Sequence, residues 1–334
     1  MMKRVMFCFV TITLSIGLTF GWAAKPAPVQ ASEPIVLKAV VPTPVYIPIV
    51  APVKDMYVPG IKEASGGKLT INLMGGPEVI PAESQVDAVR KGIIDMVFTW
   101  VSDYRHLVPV AGAVHLSPYD PWEERPGRVF DYWVKVHKPI NTQYLGRWAW
   151  GMRFNFHMRE KEIKTLSDFA GVKMDDPIYI HAIPKAFGMV PLEVSGPDIF
   201  TAMERGVIDG YIWSDFGKYP GWEKVTKYVV DEPFLNMDMV ILMNQDVYTK
   251  LPQDMKDTIE QFTAKYEREA TAWYKDQTAK ERKKYMDAGC RYIKLPPKEG
   301  KYLTETALKV AWEEDVKPVV SQEVYDEARA VLIR

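Results

Sequence analysis

Two tryptophans stand in nearly repeated contexts. Asp87-Ala88-Val89-Arg90-Lys91-Gly92-Ile93-Ile94-Asp95 parallels Thr201-Ala202-Met203-Glu204-Arg205-Gly206-Val207-Ile208-Asp209. Each copy runs on through an apolar strand into Trp-Ser-Asp-aromatic: Trp100-Val101-Ser102-Asp103-Tyr104 and Trp213-Ser214-Asp215-Phe216. The first copy carries one extra residue before its tryptophan and one after it. Helix, glycine stop and strand in that order put each Trp-Ser-Asp at the carboxyl end of a strand, where open α/β sheets bind ligands. An indole gives a rigid apolar wall and the neighbouring hydroxyl and carboxylate give directional contacts. Core packing is the competing reading for a single tryptophan. The repeated context favours two loops facing one cleft.

A second set of polar residues shares a strand. Over Met152 to Met158, period-2 alternation puts Arg153, Asn155 and His157 on one face and Phe154, Phe156 and Met158 on the other. Such a donor-rich face can line a polar cleft or meet water, and the pattern does not choose. Motifs of catalysis are missing: no Gly-x-Ser-x-Gly elbow, no phosphate-cradling Gly-x-x-x-x-Gly-Lys, no Gly-x-Gly-x-x-Gly, no His-Glu-x-x-His. The five histidines, 106, 115, 137, 157 and 181, build no local metal site. No enzyme, metal or cofactor is expected.

The elements that must position these residues belong to an ordinary globular chain. It has 334 residues, 47% hydrophobic and 25% charged, with a formal net charge of −1. That balance gives no bulk reason to bind nucleic acid and too much apolar content for disorder. Two cysteines, Cys8 and Cys290, make no disulfide framework. Lys3 and Arg4 precede an uncharged run, Val5 to Phe20, followed by small residues and cut sites after Ala23 or Ala31. This reads as a secretory signal peptide over 1–31, because a membrane span needs roughly 20 apolar residues. Its removal takes Lys3, Arg4 and Lys25 and no acidic residue, leaving 39 basic and 43 acidic residues. A periplasmic location is expected.

From Pro34 short apolar runs alternate with helical patterns, the grammar of an α/β fold. Strands are expected at 35–41, 69–73, 93–100, 144–150, 152–158, 171–174 and 207–213. Helices are expected at 49–65, 85–91, 122–137, 178–187, 197–205, 298–314 and 320–333. A long helix is expected over 252–287, with Met255, Ile259, Phe262, Tyr266, Ala270 and Trp273 on one face. Its run Lys280-Glu281-Arg282-Lys283-Lys284 reads as a solvated face.

Several segments, in order and spacing, resemble the solute-binding proteins of tripartite ATP-independent periplasmic (TRAP) transporters. These are Gly66-Gly67-Lys68-Leu69, Ala88-Val89-Arg90-Lys91-Gly92-x-x-Asp95, Lys164-Thr165-Leu166-Ser167-Asp168-Phe169-Ala170-Gly171-Val172-Lys173 and Ala202-x-x-x-Gly206-Val207-x-Asp209-Gly210. The resemblance implies two α/β lobes joined by hinge strands, a long helix spanning both, closure around a small solute and delivery to membrane permease subunits. Lobe I would comprise 32–151 and about 238–270; lobe II, 152–237 and about 271–334. A monomer that binds no nucleic acid is expected.

The family usually places an arginine just after Gly-x-Lys-x, where it pairs with a substrate carboxylate. Here that position is Asp175, followed by Asp176. Arg153 matches another arginine the family uses. Three readings stay open: a cationic or polyol solute on Asp175, a carboxylate held by Arg153 alone, or an Asp175–Arg153 pair in a neutral site. Trp213 matches an aromatic wall of the oxo-acid subgroup. The cation-holding glutamate of that subgroup is replaced by Ile212, which argues against metal-assisted binding. The expected substrate-binding residues are Arg153, Asn155, Asp175, Asp176, Trp213, Trp100 and Tyr46, with Tyr179 and His181 behind them. An organic acid is the expected solute. A cationic, polyol or neutral solute, a ligand sensor and a periplasmic enzyme are the alternatives.

Overall fold

Apolar runs of four to seven residues become strands, and the patterned segments between them cover both faces of two sheets. The computed structural model describes residues 33–125, 127–176, 180–237 and 239–333. The expected signal peptide lies outside these residues, and so does Tyr179. Strands β1 (Ile35–Val40), β2 (Leu69–Gly75), β3 (Met96–Trp100) and β4 (Thr142–Gly146) form one sheet with β10 (Met239–Asn244) in the order β2-β1-β3-β10-β4. Its first three strands are parallel, and β10 runs antiparallel to β3 and β4.

The second sheet contains β5 (Asn155–Met158), β6 (Lys173–Asp175), β7 (Val190–Leu192), β8 (Gly210–Trp213), β9 (Tyr228–Val230) and β11 (Arg291–Ile293). Its order is β11-β9-β5-β8-β6-β7, with β6 parallel to β7 and β8 and with β5 antiparallel to its neighbours. The α/β, two-sheet expectation holds. The four short strands β7, β9, β10 and β11 were not among the expected ones. Strand β10, Met-Val-Ile-Leu-Met-Asn, is buried at every position, as a strand covered on both faces should be.

Besides the helical connection from β10 to β11, two crossovers join the sheets, one after β4 and one after β9. They pair with each other: Phe154 N–H donates to Leu235 O at 3.0 Å, Phe234 N–H to Phe154 O at 3.1 Å and Met237 N–H to Met152 O at 3.1 Å. The expected strand 144–150 stops at Gly146, whose φ of +141° turns the chain. A side chain there would collide with Glu267 and Arg125, so the glycine also makes room for an ion pair. The expected helix 122–137 begins only at Arg128, after Gly127 at φ +133°.

The long helix, Gln253–Asp287, has 35 residues and so spans about 52 Å at 1.5 Å per residue. Its first half docks on the first sheet's layer, where Tyr266 OH donates to Trp148 O at 2.9 Å and Tyr274 OH to Ile49 O at 2.8 Å. Glu267, buried on the same face, accepts from Arg125 Nε at 3.0 Å and from Arg147 N–H at 2.9 Å. Its second half docks on the second sheet through Arg282, whose Nη1 lies 3.0 Å from Asp215 and 2.8 Å from Asp231. Arg282 is thus an anchor within a run expected to be solvated throughout. The terminal helix Gln322–Leu332 returns to Arg128–His137, with Arg128 donating to Val331 O at 3.1 Å. None of the described helices is long and apolar enough to cross a membrane.

Candidate functional site

The two tryptophans end parallel strands at the points where the crossovers enter each sheet. Trp100 lies opposite Met239, the first residue of β10, and Trp213 opposite Asn155, the first of β5. This register brings them across from one another, ring centroids 6.4 Å apart at 61°. A second indole backs each one: Trp148 lies 5.9 Å from Trp100 and Trp222 lies 5.7 Å from Trp213. Backed rings are held in place, so the walls are fixed before any ligand arrives. Trp213 Nε1–H is buried without an acceptor.

Between these walls is a cleft of about 340 Å³. Trp100, Asp103, Asp175, Asp176, Glu193 and Trp213 line it, and among the described lining residues none is Lys, Arg or His. Strand β6 delivers both aspartates, because Asp175 is its last residue. Asp175 Oδ1 accepts from Val194 N–H at 2.8 Å. Burial, opposed by that bond and aided by Glu193, raises its pKa to about 7. Asp176 is 3% exposed. Its Oδ1 lies 3.2 Å from His181 Nδ1 without hydrogen-bond geometry, and Oδ2 has no partner among the described residues. Burial, then the charge of Asp175, raises its pKa to about 8. Two acids this close and this dry resist ionising together.

Of the other expected residues, His181 borders Asp176, while Arg153, Asn155 and Tyr46 lie elsewhere. Arg153, Asn155 and His157 do share a face, as alternation required, but that face turns toward the long helix. Arg153 donates from Nε to Phe234 O at 2.8 Å and from Nη2 to the same oxygen. It lines a different cavity of about 550 Å³, together with Lys275, Asp120 and Glu305. No Asp175–Arg153 pair forms among the described ion pairs. Asn155 Nδ2 donates to Asp215 at 3.4 Å. Tyr46 is 73% exposed, while its neighbour Ile47 lines the cleft. Residues of the cleft that spacing alone did not single out are Glu193, Tyr219, Ile49 and Gly217. Glu193, Tyr219 and Gly217 sit in loops and Ile49 in the short helical turn Pro48–Val50, where the signal was the clustering of Gly, Pro and Ser around them.

Asp103 and Asp215, matched in sequence, have different surroundings. Asp103 lines the cleft. Asp215 is buried beneath Trp213 and gathers Arg282 Nη1 at 3.0 Å, His157 Nε2 at 3.3 Å and Tyr292 OH at 3.3 Å. Burial opposes its ionisation, but the His157 hydrogen bond and the charges of Lys218 and Arg282 outweigh it, holding its pKa at about 2. An unfolded aspartate titrates near about 3.9. The stability from this depressed pKa is present above about pH 4 and lost as the pH falls toward 2. Urea unfolding between pH 5 and 2 is expected to show about 2 kcal/mol of this loss. Asp215→Asn is expected to start less stable and to lack that part of the slope.

Gly217 controls how closely the walls approach. Its φ is +81°, and an added Cβ would lie 2.9 Å from Ile49 Cδ1. Gly217→Val is therefore expected to hold the cleft ajar, raising the radius of gyration in small-angle scattering and weakening ligand binding by roughly tenfold. Adding Ile49→Ala should restore part of the affinity.

Comparison with known proteins places this geometry in context. The model of the family described as bacterial extracellular solute-binding protein, family 7, matches residues 56–318. A curated relative from Nostoc sp. (strain PCC 7120), described as a monocarboxylate 2-oxoacid-binding periplasmic protein, is 22% identical over 218 residues, 59% of this chain. The match spans 57% of that relative's own length. Among solved structures, a TRAP periplasmic solute-binding protein from Rhodoferax ferrireducens with bound malonate is 20% identical. It covers 89% of this chain and 96% of its own at a TM-score of 0.73. Another, from Desulfovibrio salexigens with bound orotic acid, is 17% identical and covers 89% and 99% at a TM-score of 0.75.

Proposed function

Since the chain belongs to family 7 of the bacterial extracellular solute-binding proteins, those of TRAP transporters, we propose that it captures a small organic solute by lobe closure and passes it to membrane permease subunits. The observation that carries this reading is the meeting of Trp100 and Trp213, from two sheets, over one cleft. Closure around a solute exchanges water for two indole faces, and a few fixed polar groups then select the ligand. The paired crossovers are the hinge, and the long helix is the strut beside it. In this reading the lobes divide near 151/152 and 237/238. The terminal helix, packed on Arg128–His137, travels with the first lobe. Segment 1–31 acts as the export signal, removed before the protein works in the periplasm.

Kinship favours an organic acid, since the ligands named for the relatives are acids. The lining of this cleft disfavours one, because no described basic side chain would meet the carboxylate. A thermal-shift screen across acids, amines and polyols tests the capture reading without presupposing the class. A true ligand at 100 times its dissociation constant stabilises the protein by about 2.7 kcal/mol. One class is expected to stabilise and, by small-angle scattering, to compact the protein. Ligand turnover, or stabilisation by none of them, would sink the reading.

A further inference from the structure

We propose that the solute of this cleft carries a cationic head, an ammonium, amidinium or guanidinium, seated on Asp175 and Asp176 between Trp100 and Trp213. This rests on the cleft being the solute site. Three independent features of the geometry carry it. Asp176 is 3% exposed, yet among the described residues its carboxyl has no hydrogen-bond donor. A buried acceptor without a donor costs on the order of 1–3 kcal/mol, a cost that an N–H-bearing cation would remove. Asp175 has one oxygen committed to Val194 N–H, which fixes the carboxyl at the wall of the cleft. Finally, indole faces attract cations, and the Trp213 Nε1–H adds one donor for a polar group on the solute body.

The surroundings of Asp176 are acidic on most sides. Asp175 and Glu193 flank it from the second sheet, and Asp315 approaches from the C-terminal segment 311–316. His181 and Lys185 are the basic groups near it, from the segment that follows. Burial, then the charge of Lys185, lowers the His181 pKa and so favours its neutral form. Lys185 is solvent-exposed, and its charge is screened there. The site therefore offers two or three carboxyls and no fixed countercharge in contact. Without a ligand, burial favours the protonated form of both acids, more strongly for Asp176 than for Asp175. A cationic head requires the ionised form and would displace a proton on binding.

The sign of the pH dependence follows. Cation affinity should rise roughly tenfold per pH unit up to about pH 8 and then level off. A carboxylic acid hydrogen-bonded to the protonated pair would show the opposite slope. The experiment is isothermal titration with putrescine, agmatine, n-butylamine and choline against succinate, butyrate and pyruvate, from pH 6 to 9. Paired buffers of different ionisation enthalpy count the protons released. At least one cation is expected to bind, releasing close to one proton near pH 7. Asp176→Asn, which keeps shape but cannot ionise, is expected to weaken that binding at least 30-fold and abolish the proton release.

Folding of the variant is checked by its melting temperature in the absence of ligand. That temperature should fall less between pH 5 and 8 than the parent's, because folded pKa values above the unfolded ones withdraw stability as the pH rises. Binding and compaction by acids alone would overturn the cation while leaving solute capture standing. Failure of every probe, with no compaction, would overturn both. Cation binding that ignores Asp176→Asn would place the head elsewhere and overturn this assignment.

Discussion

Glu267→Ala is expected to lower the free energy of unfolding by about 3–5 kcal/mol, the cost of breaking a buried ion pair from one side. Glu267 is 2% exposed. Its carboxylate takes Arg125 Nε at 3.0 Å, Arg125 Nη2 at 3.3 Å and Arg147 N–H at 2.9 Å. Removing it leaves the Arg125 guanidinium without its carboxylate and the Arg147 N–H without its acceptor, while Glu124 still holds Arg147 Nη2 at 2.6 Å. The site also joins three elements: the long helix, the loop carrying Arg125 and the first crossover. The loss should therefore reach the hinge. Chemical denaturation gives the number directly. A midpoint shift worth under about 1 kcal/mol would mean that water enters and solvates the arginines. Glu267→Gln, which can still accept from Arg147 N–H, is expected to lose less than the alanine variant.

Trp213→Ala is expected to weaken solute binding by about 2–4 kcal/mol, some 30- to 1000-fold, because central aromatic anchors dominate binding energy. The same truncation removes the ring that meets Trp100 at 6.4 Å and the face that packs on Trp222 at 5.7 Å. Trp213→Phe keeps an apolar wall, though a smaller one, and loses the Nε1–H. Titration calorimetry on whichever ligand the screen returns measures both. The phenylalanine variant is expected to bind between the parent and the alanine variant. Equal affinity in all three would remove Trp213 from the site. A melting temperature measured without ligand shows whether loss of the ring has instead loosened the second lobe.

Sequence and structure agree most closely where a pattern repeats over many residues. The 3.6-residue spacing over 252–287 predicted the long helix to within a residue, since helical periodicity is local and accumulates over each turn. The repeated helix–Gly–strand–Trp segments predicted two strands ending in tryptophan, and both exist as β3 and β8. Their meeting across one cleft followed from a general rule about carboxyl ends of strands. Short strands were less legible. Strand β7, three residues of Val-Pro-Leu, and β11, three residues of Arg-Tyr-Ile, have no periodicity to show. They exist because a neighbouring strand supplies their hydrogen bonds.

The polar face of β5 shows the limit of alternation. The pattern placed Arg153, Asn155 and His157 together but could not say which side of the hinge they face. That depends on where the long helix lies, more than a hundred residues later in the chain. Arg282 teaches the same point from the other end. In sequence it is one charge in a run of five, and only its partners Asp215 and Asp231 distinguish it. Glu267 interrupts an apolar stripe and would have been read as solvent-facing. The partners that justify it, the Arg125 guanidinium and the Arg147 backbone N–H, come from two other segments.

What the sequence determined alone is the α/β class, the long helix, the two tryptophan-ended strands and the adjacent aspartates Asp175 and Asp176. All of these are local, because they rest on residue type and on spacing along a few turns or strands. Which of the polar residues share a cleft was decided only by tertiary structure. Burial and charge are properties of the assembled surroundings: Asp215 is driven to ionise by His157, Lys218 and Arg282, while Asp176 is driven to stay protonated by burial and Asp175. Identical side chains thus acquire opposite chemistry from what is packed around them, and spacing along a chain carries no record of that.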